Sequence, residues 1–288
     1  MILNQTTQNI REVDLVVISD THLGTYGCQA KELYRYLKSI NPKKIILNGD
    51  IIDIWQFNKK YWPESHMKVL KKIISWVIEG KEVVYVTGNH DEMLRKFAGL
   101  KLNNFSIVNK TTFKFNQSQE AWIFHGDVFD ITMKHSKWLA KLGAKGYDLL
   151  ILINSIVNWF SIKLGRGRIS LSKKIKNSVK TAVKFINNFE ETAINIGANN
   201  NYSHVICGHI HQPIIKTIRV KDKIITYLNS GDWIENLTAL EFNNGEWSLY
   251  QHPHNDSVYN YNKSEEIDDL EAALSYENLL KEFNLNIS

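Results

Sequence analysis

Three short runs of apolar and β-branched residues, separated by amphipathic stretches, constrain the fold of this chain most strongly. The runs occupy residues 14–19 (DLVVIS), 44–47 (KIIL) and 82–86 (EVVYV), and they are typical of strands buried on both faces. Residues 29–40 and 64–79 lie between them and carry apolar side chains at helical spacing. This alternation predicts a parallel sheet with helical crossovers.

The second half of the chain favours shorter strands joined by turns. Candidate strands lie at residues 112–115, 121–124, 204–206, 214–220, 224–228, 238–242 and 247–250. Their alternation and close spacing favour more antiparallel pairing than in the first half. We therefore predict an α/β fold, a two-sheet β-sandwich flanked by helices.

Residues 134–199 interrupt this pattern, because they lack a strand signal and resemble helix. Within them, residues 147–164 are very apolar but too interrupted to cross a bilayer, which takes about 20 predominantly apolar residues. They fit a core helix of an inserted subdomain, a lid over a lipid site or an interfacial membrane helix. We expect one domain over residues 1–250 with a helical cap insertion at about 131–200, then an acidic linker and helix at 251–288.

Charge is distributed unevenly around a net value of +5. Residues 131–190 contain 12 basic and 2 acidic side chains, whereas residues 251–288 contain 8 acidic side chains and 2 lysines. The basic segment suggests an anionic partner, either phosphate, nucleic acid or a membrane surface, or else a solvated helix face. The two cysteines cannot form a disulfide framework and no signal peptide is evident, so we expect a cytoplasmic protein.

Five polar motifs each follow the end of a predicted strand. They are Asp20-Thr-His22, Gly49-Asp50-Ile-Ile-Asp53, Gly88-Asn89-His90-Asp91, His125-Gly126-Asp127 and Gly208-His209-Ile-His211. Loops beyond the carboxyl ends of such strands converge on one crevice. The predicted cluster contains Asp20, His22, Asp50, Asn89, His125, His209 and His211. Oxygen and imidazole ligands without thiolate suit two divalent ions, Mn²⁺ first and Fe, Zn or Ni as alternatives.

The spacing within the motifs supports this interpretation. Asp-x-His and His-x-His are expected to place both side chains on one side of an extended strand end. Glycine before Asp50, Asn89 and His209 is expected to let the backbone turn sharply. We expect Asp53 to reach His90, which should point toward substrate. Any one motif alone also fits a turn or a core residue, but five in order favour a functional site.

Together the motifs resemble those of the calcineurin-like metallophosphoesterases, over about residues 13–242 without the helical insertion. The resemblance implies a metallophosphoesterase domain with two metal sites that share the bridging carboxylate of Asp50. It assigns one metal to Asp20, His22 and His211, and the other to Asn89, His125 and His209.

The resemblance also implies catalytic roles in hydrolysis of a phosphoester. His90 would stabilise the transition state or protonate the leaving oxygen, and Asp53 would orient His90 and favour its charged form. Asp127 is expected to orient His125. Asp91 is expected to cap the helix that begins there.

A narrower similarity is to the UDP-2,3-diacylglucosamine diphosphatases of lipid A biosynthesis. It rests on residues 49–55, the helical insertion and Gly231-Asp232-Trp233, and it departs at His90, where those enzymes carry arginine. It implies cleavage of a nucleotide-linked lipid by a protein in peripheral contact with the inner face of the cytoplasmic membrane. Substrate contacts are then expected at Trp55, Lys163, Arg166 and Arg168.

Two alternatives stay open at this point. A nuclease or cyclic-nucleotide phosphodiesterase would use the basic insertion to follow a nucleic-acid backbone, although nucleic acid is the less favoured partner because the aromatic residues there lie in apolar surroundings. A non-catalytic scaffold of the same fold is disfavoured because the ligand set is complete. The sequence does not indicate an oligomeric state.

Overall fold

The computed structural model describes residues 10–56, 61–116, 119–129 and 172–253, with the backbone alone for residues 172–184. The described elements belong to the compact unit Met1–His252. The first half contains β1 (Arg11–Ile18), α1 (Ala30–Ser39), β2 (Ile40–Asn48), α2 (Glu64–Ile78), β3 (Glu82–Val86), a 3₁₀ helix (Glu92–Phe97), β4 (Lys101–Leu102), β5 (Phe105–Val108), β6 (Lys110–Lys114) and β7 (Glu120–Phe124). The second half contains α3 (Ser172–Asn199), β8 (His204–Cys207), β9 (Ile214–Val220), β10 (Lys223–Asn229), β11 (Thr238–Asn243) and β12 (Glu246–Gln251).

The strands form two mixed sheets. The seven-stranded sheet has the order β12-β11-β1-β2-β3-β5-β4, and β1, β2, β3 and β5 run parallel at its centre. The five-stranded sheet has the order β6-β7-β8-β10-β9, with β7, β8 and β10 parallel. The predicted α/β fold with two sheets flanked by helices is confirmed.

Three apolar cores separate four layers. Strand β1 shows why, since Leu15 and Val17 face the other sheet while Val16 and Ile18 face α1 and α2. Both faces of the strand are buried, which explains its nearly unbroken apolar sequence. On the far side, Phe189 of α3 packs against the five-stranded sheet. The order of the layers is therefore helix, sheet, sheet, helix.

The later strands pair largely as the sequence predicts. Their antiparallel pairs are β1–β11, β9–β10 and β11–β12, whereas β8 pairs with β7 and β10 in parallel. The described side chains of α3 belong to the outer layer of the sandwich. The apolar stretch 147–164 and the expected acidic segment lie outside the described residues, apart from the first residues of the latter.

Both cysteines are buried thiols, which leads to a first prediction. Burial raises the pKa of Cys28 to about 12 and raises the pKa of Cys207 well above its ordinary value. Because the thiolate is the reactive form, neither cysteine should react with dithiobis(nitrobenzoate) at about pH 8 in the folded protein. Both should react in guanidinium chloride. A thiol that reacts at once without denaturant would contradict this packing.

Candidate metal centre

The five polar motifs meet at one edge of the sandwich. Each begins within a few residues of the carboxyl end of β1, β2, β3, β7 or β8. The central strands of both sheets are parallel, so their ends lie on the same side. Three groups of ligand atoms form there, each with its atoms within 4.8 Å of one another. Two contain only expected metal ligands, Asp20, His22 and His211 in one and Asp50, His125 and His209 in the other, and the third joins His22 to Asp53 and His90.

Most of the clustered residues adopt an unusual backbone conformation. Five of the seven expected ligands have left-handed φ angles between 48° and 68°: Asp20, His22, Asp50, His209 and His211. Residues other than glycine rarely adopt left-handed φ angles, and those that do concentrate at functional sites. The sequence analysis expected the Asp-x-His and His-x-His motifs to lie on extended strand ends. That expectation is wrong, because the strands end before both motifs and the backbone turns at each ligand.

Backbone hydrogen bonds hold the loops against one another. The amide of Asp20 donates to Gly49 at 3.0 Å and the amide of His22 donates to Asp50 at 2.9 Å. The amide of His209 donates to a carboxylate oxygen of Asp20 at 3.0 Å, which ties the two sheets together. The ligand positions are thus fixed by the backbone before any ion binds.

Asp50 lies at the centre of the cluster and is almost fully buried. Its Oδ1 accepts the amide hydrogen of His90 at 2.8 Å. Its Oδ2 lies 3.2 Å from Nε2 of His125 and 4.0 Å from Nε2 of His22, without hydrogen-bond alignment to either. One carboxylate oxygen therefore faces both ligand groups, which is the placement that a bridging ligand requires.

The hydrogen bonds of two histidines leave their Nε2 atoms ready to bind a cation. Nδ1 of His125 donates to the carbonyl of Asn48 at 2.9 Å, and Nδ1 of His22 lies 3.1 Å from Oδ2 of Asp53. With a proton held on Nδ1 by these contacts, each ring can offer the lone pair of Nε2 to a cation. The buried Nε2 atoms of both rings, and Oδ1 of Asn89, have no hydrogen-bond partner within the described part of the chain.

These orphaned atoms fit divalent metal ions. Buried polar atoms are normally paired, so unpaired nitrogen and oxygen atoms on residues of these motifs indicate that they are placed to bind a cation. The charge of the cluster agrees with this. Burial acts to lower the pKa of His125, but the carboxylates of Asp50 and Asp20 outweigh it and raise that pKa well above its ordinary value. The electrostatic potential at the site is therefore strongly negative.

Asp53 contacts two histidines, one more than the sequence predicts. Its Oδ2 lies 2.8 Å from Nδ1 of His90 and 3.1 Å from Nδ1 of His22. Burial acts to raise the pKa of Asp53, yet these two contacts lower it below the usual range. Asp53 therefore stays ionised, and it orients one expected ligand together with the expected catalytic histidine.

Two predicted supporting roles are wrong. Asp127 forms an ion pair with Arg95, and His125 is oriented by the carbonyl of Asn48 instead. Asp91 precedes the 3₁₀ helix but makes no capping bond there. Its buried carboxylate instead accepts hydrogen bonds from the backbone of Gly88 and Ile51 and from the Tyr85 hydroxyl.

Sequence reasoning missed the supporting contacts of His211. Its Nε2 lies 3.2 Å from Asp20, while its Nδ1 lies 3.9 Å from the buried carboxylate of Asp232. Asp232 also accepts backbone hydrogen bonds from the turn that follows, including those of Ile234 and Glu235. The Gly231-Asp232-Trp233 motif was the available signal, and its local role is to support this loop.

The expected substrate contacts divide into two groups. Trp55 is 54% exposed, and its ring centroid lies 5.1 Å from that of His90. Lys163, Arg166 and Arg168 lie outside the described residues. Of the four, only Trp55 can therefore be placed beside the cluster.

Gly88 gives a second prediction. A Cβ at this position would collide with Oδ1 of Asp50 and lie 2.6 Å from its backbone nitrogen. The φ angle of Gly88 is not in the left-handed region, so the glycine is needed for this close approach and not for the sharp turn expected from sequence. Gly88→Ala should lower the free energy of unfolding by about 1–3 kcal/mol, measured by urea titration with a chelator present.

The matched control is Gly27→Ala. A Cβ there would meet only Ile234, at 3.4 Å, so the unfolding free energy should change by less than about 0.5 kcal/mol. Equal stability of the Gly88 variant and the native protein would show that the two loops are not packed this closely.

The profile of the Calcineurin-like phosphoesterase family matches residues 13–213. The chain belongs to this family. The matched range begins at β1 and ends just beyond His211, so it includes all five motifs. The protein is a metal-dependent phosphoesterase.

Several known proteins are similar to this phosphoesterase. A UDP-2,3-diacylglucosamine hydrolase from Aliivibrio fischeri (strain MJ11) is 22% identical over 247 residues, which cover 82% of this chain and 98% of the relative. A novel archaeal phosphodiesterase of known structure is 14% identical with a TM-score of 0.40, covering 82% of this chain and 98% of that one. The nuclease MPE from Pseudomonas putida is 12% identical with a TM-score of 0.31, covering 82% and 87% respectively.

Of the helices in the ranges that the structure describes, none combines the length and the apolar character needed to cross a bilayer.

Proposed function

We propose that this phosphoesterase hydrolyses the pyrophosphate bond of UDP-2,3-diacylglucosamine, giving UMP and 2,3-diacylglucosamine 1-phosphate. The carrying observation is the position of Asp50 between two ligand groups, with the His90–Asp53 pair beside it. The choice of substrate is supported by the Aliivibrio fischeri relative, because the match to this chain covers 98% of that relative. The reaction fits a role in lipid A biosynthesis.

Two divalent ions would be held as the motifs imply. Asp20, His22 and His211 would hold one, Asn89, His125 and His209 the other, and Asp50 both. Ions bound in this way polarise phosphoryl oxygens and lower the pKa of a water molecule, and Mn²⁺ is the ion we expect first.

His90 would act on the leaving group. Its Nδ1 is bound to Asp53, so Nε2 is the nitrogen left to meet the substrate. Burial acts to lower the pKa of His90, but Asp53 and Asp50 outweigh it and raise that pKa. The ring therefore holds a proton that it can donate to the departing phosphate oxygen as the P–O bond breaks.

The proposed substrate also implies where the protein works. A diacylated sugar nucleotide is anchored in a membrane by its acyl chains, so the protein would meet it by peripheral contact at the inner face of the cytoplasmic membrane. The basic residues of the insertion, among them Lys163, Arg166 and Arg168, would then contribute to contact with anionic headgroups and with the pyrophosphate.

A substrate panel tests the proposal. Four compounds, acylated UDP-glucosamine, its unacylated counterpart, a cyclic nucleotide and single-stranded DNA, are incubated with the protein and Mn²⁺. We expect kcat/KM for the acylated compound to exceed the others by at least about a hundredfold. Preferred hydrolysis of DNA or of the cyclic nucleotide would overturn the proposed substrate, and no Mn²⁺-dependent turnover of any compound would overturn the proposed reaction.

A further inference from the structure

Two neighbouring loops of the site carry large aromatic side chains that are exposed. Leu23 and Ile52 pair in a parallel bridge between these loops, and Tyr26 and Trp55 each lie three residues further along. Tyr26 is 60% exposed and Trp55 is 54% exposed. Exposed rings on loops that also carry the expected metal ligands offer apolar surface on which a bound ligand can pack.

The ring of Tyr26 is held by a second ring. Tyr61 stacks against it with the ring centroids 3.8 Å apart and the planes inclined by 35°. Tyr61 in turn packs edge-on against buried His66, at 5.8 Å between centroids. Trp62 contacts the same histidine at 5.5 Å. The two tyrosines therefore rest on a fixed base.

The loop beneath Tyr26 is fixed by His66 as well. The amide of Gly24 donates to Nδ1 of His66 at 2.9 Å. Burial lowers the pKa of His66, which keeps Nδ1 free to accept this bond. Because the rings are held before a ligand arrives, little conformational entropy is lost when one binds.

Trp55, on the neighbouring loop, contacts the reactive centre. Its ring lies 5.1 Å from that of His90 and is inclined to it by 38°. The ring centroid of His90 lies 4.6 Å from that of His22, an expected metal ligand. A group stacked on Trp55 would thus need only a short linkage to a phosphate placed at His90.

We propose that Tyr26, Tyr61 and Trp55 form a stacking subsite for the base of a nucleotide-linked substrate; this rests on the proposed function and extends it. An open aromatic face suits a planar base, since base–aromatic stacking contributes about 1–3 kcal/mol per base. An acyl chain requires an enclosed apolar surface instead. The hydroxyl groups of the two tyrosines also favour a ligand that stays partly hydrated.

Binding of UMP and of ribose 5-phosphate tests the subsite. The two ligands share the sugar phosphate and differ in the base. Calorimetry with the Mn²⁺-loaded protein should give a UMP affinity at least about tenfold higher than that of ribose 5-phosphate. Tyr26→Ala should lower the UMP affinity by about 5- to 100-fold and change that for ribose 5-phosphate less than about twofold.

Two further variants control this measurement. Tyr26→Phe keeps the ring and should keep the preference for UMP. Tyr202 lies just before the amino-terminal end of β8, away from the site, and its ring stacks on that of Trp122. Tyr202→Ala should therefore also keep the preference for UMP. Dodecyl phosphate serves as the acyl-chain probe, and we expect Tyr26→Ala to leave its affinity unchanged.

The outcomes separate the subsite from the proposed function. Equal affinities for UMP and ribose 5-phosphate in the native protein, or a Tyr26→Ala effect confined to dodecyl phosphate, would overturn the subsite even if UDP-2,3-diacylglucosamine is hydrolysed. A base preference that depends on Tyr26, in a protein that does not hydrolyse that lipid, would support the subsite and overturn the proposed substrate.

Discussion

Asp50→Asn is expected to reduce bound Mn²⁺ from two ions per chain to one or none and to lower kcat by at least about a thousandfold. The reason is the position of Oδ2 between His22 and His125. An amide oxygen there can still accept the His90 amide hydrogen, so the loop should keep its shape. Metal content is measured by elemental analysis after dialysis, and turnover with bis-p-nitrophenyl phosphate.

Two controls separate loss of metal from loss of fold. Asp14→Asn changes an exposed aspartate that pairs with Lys43, and it should bind two ions with unchanged turnover. The chelator-treated Asp50→Asn protein should still unfold cooperatively, but at a lower temperature than the chelator-treated native protein. Burial acts to raise the pKa of Asp50, yet His125 and His22 lower it, so the carboxylate stabilises the folded protein and its loss costs stability. A variant that keeps two ions and full turnover would exclude a bridging role.

His90→Gln is expected to lower kcat by about 10²- to 10⁴-fold while both ions stay bound. Glutamine can still contact Asp53 but cannot donate a proton to a leaving oxygen. The loss should be much smaller for a p-nitrophenyl ester than for a pyrophosphate, because p-nitrophenolate leaves without protonation. The ratio of the two losses is the informative quantity.

The control for this variant is His204→Gln, which changes a half-buried histidine at the start of β8, and it should retain native kcat for both substrates. If His90→Gln lost its metal ions, the residue would belong to the metal cage and the assigned role would be wrong. If both substrates lost activity equally, His90 would stabilise charge in the transition state instead of donating a proton.

The architecture follows closely from the sequence where burial is two-sided. Strands such as β3 are nearly continuous runs of apolar residues because both faces lie in a core. The short strands β4 and β5, by contrast, were not predicted from the sequence. Strand β4 has two residues at the sheet edge with both side chains exposed, so no hydrophobic pattern marks it.

The sequence predicts the residues of the candidate site and the contact of Asp53 with His90, but not the other contacts. The order of the parallel strands brings the motifs together, and that order could be read from the alternation of strands and helices. The left-handed conformations of the aspartates and histidines could not be read from the sequence. Residues other than glycine rarely adopt them, and only the surrounding hydrogen bonds hold them there. The same is true of Arg95 pairing with Asp127 and of Asp53 contacting two rings, since both depend on how separate loops pack.

The central claim is that loops far apart in the chain form a cage for two ions around Asp50. Crystals grown with Mn²⁺ and measured at the manganese absorption edge test it directly. We expect two anomalous peaks, one against Asp20, His22 and His211 and the other against Asn89, His125 and His209, both within coordination distance of the Asp50 carboxylate. A single peak remote from Asp50, or no peak at saturating Mn²⁺, would contradict the claim.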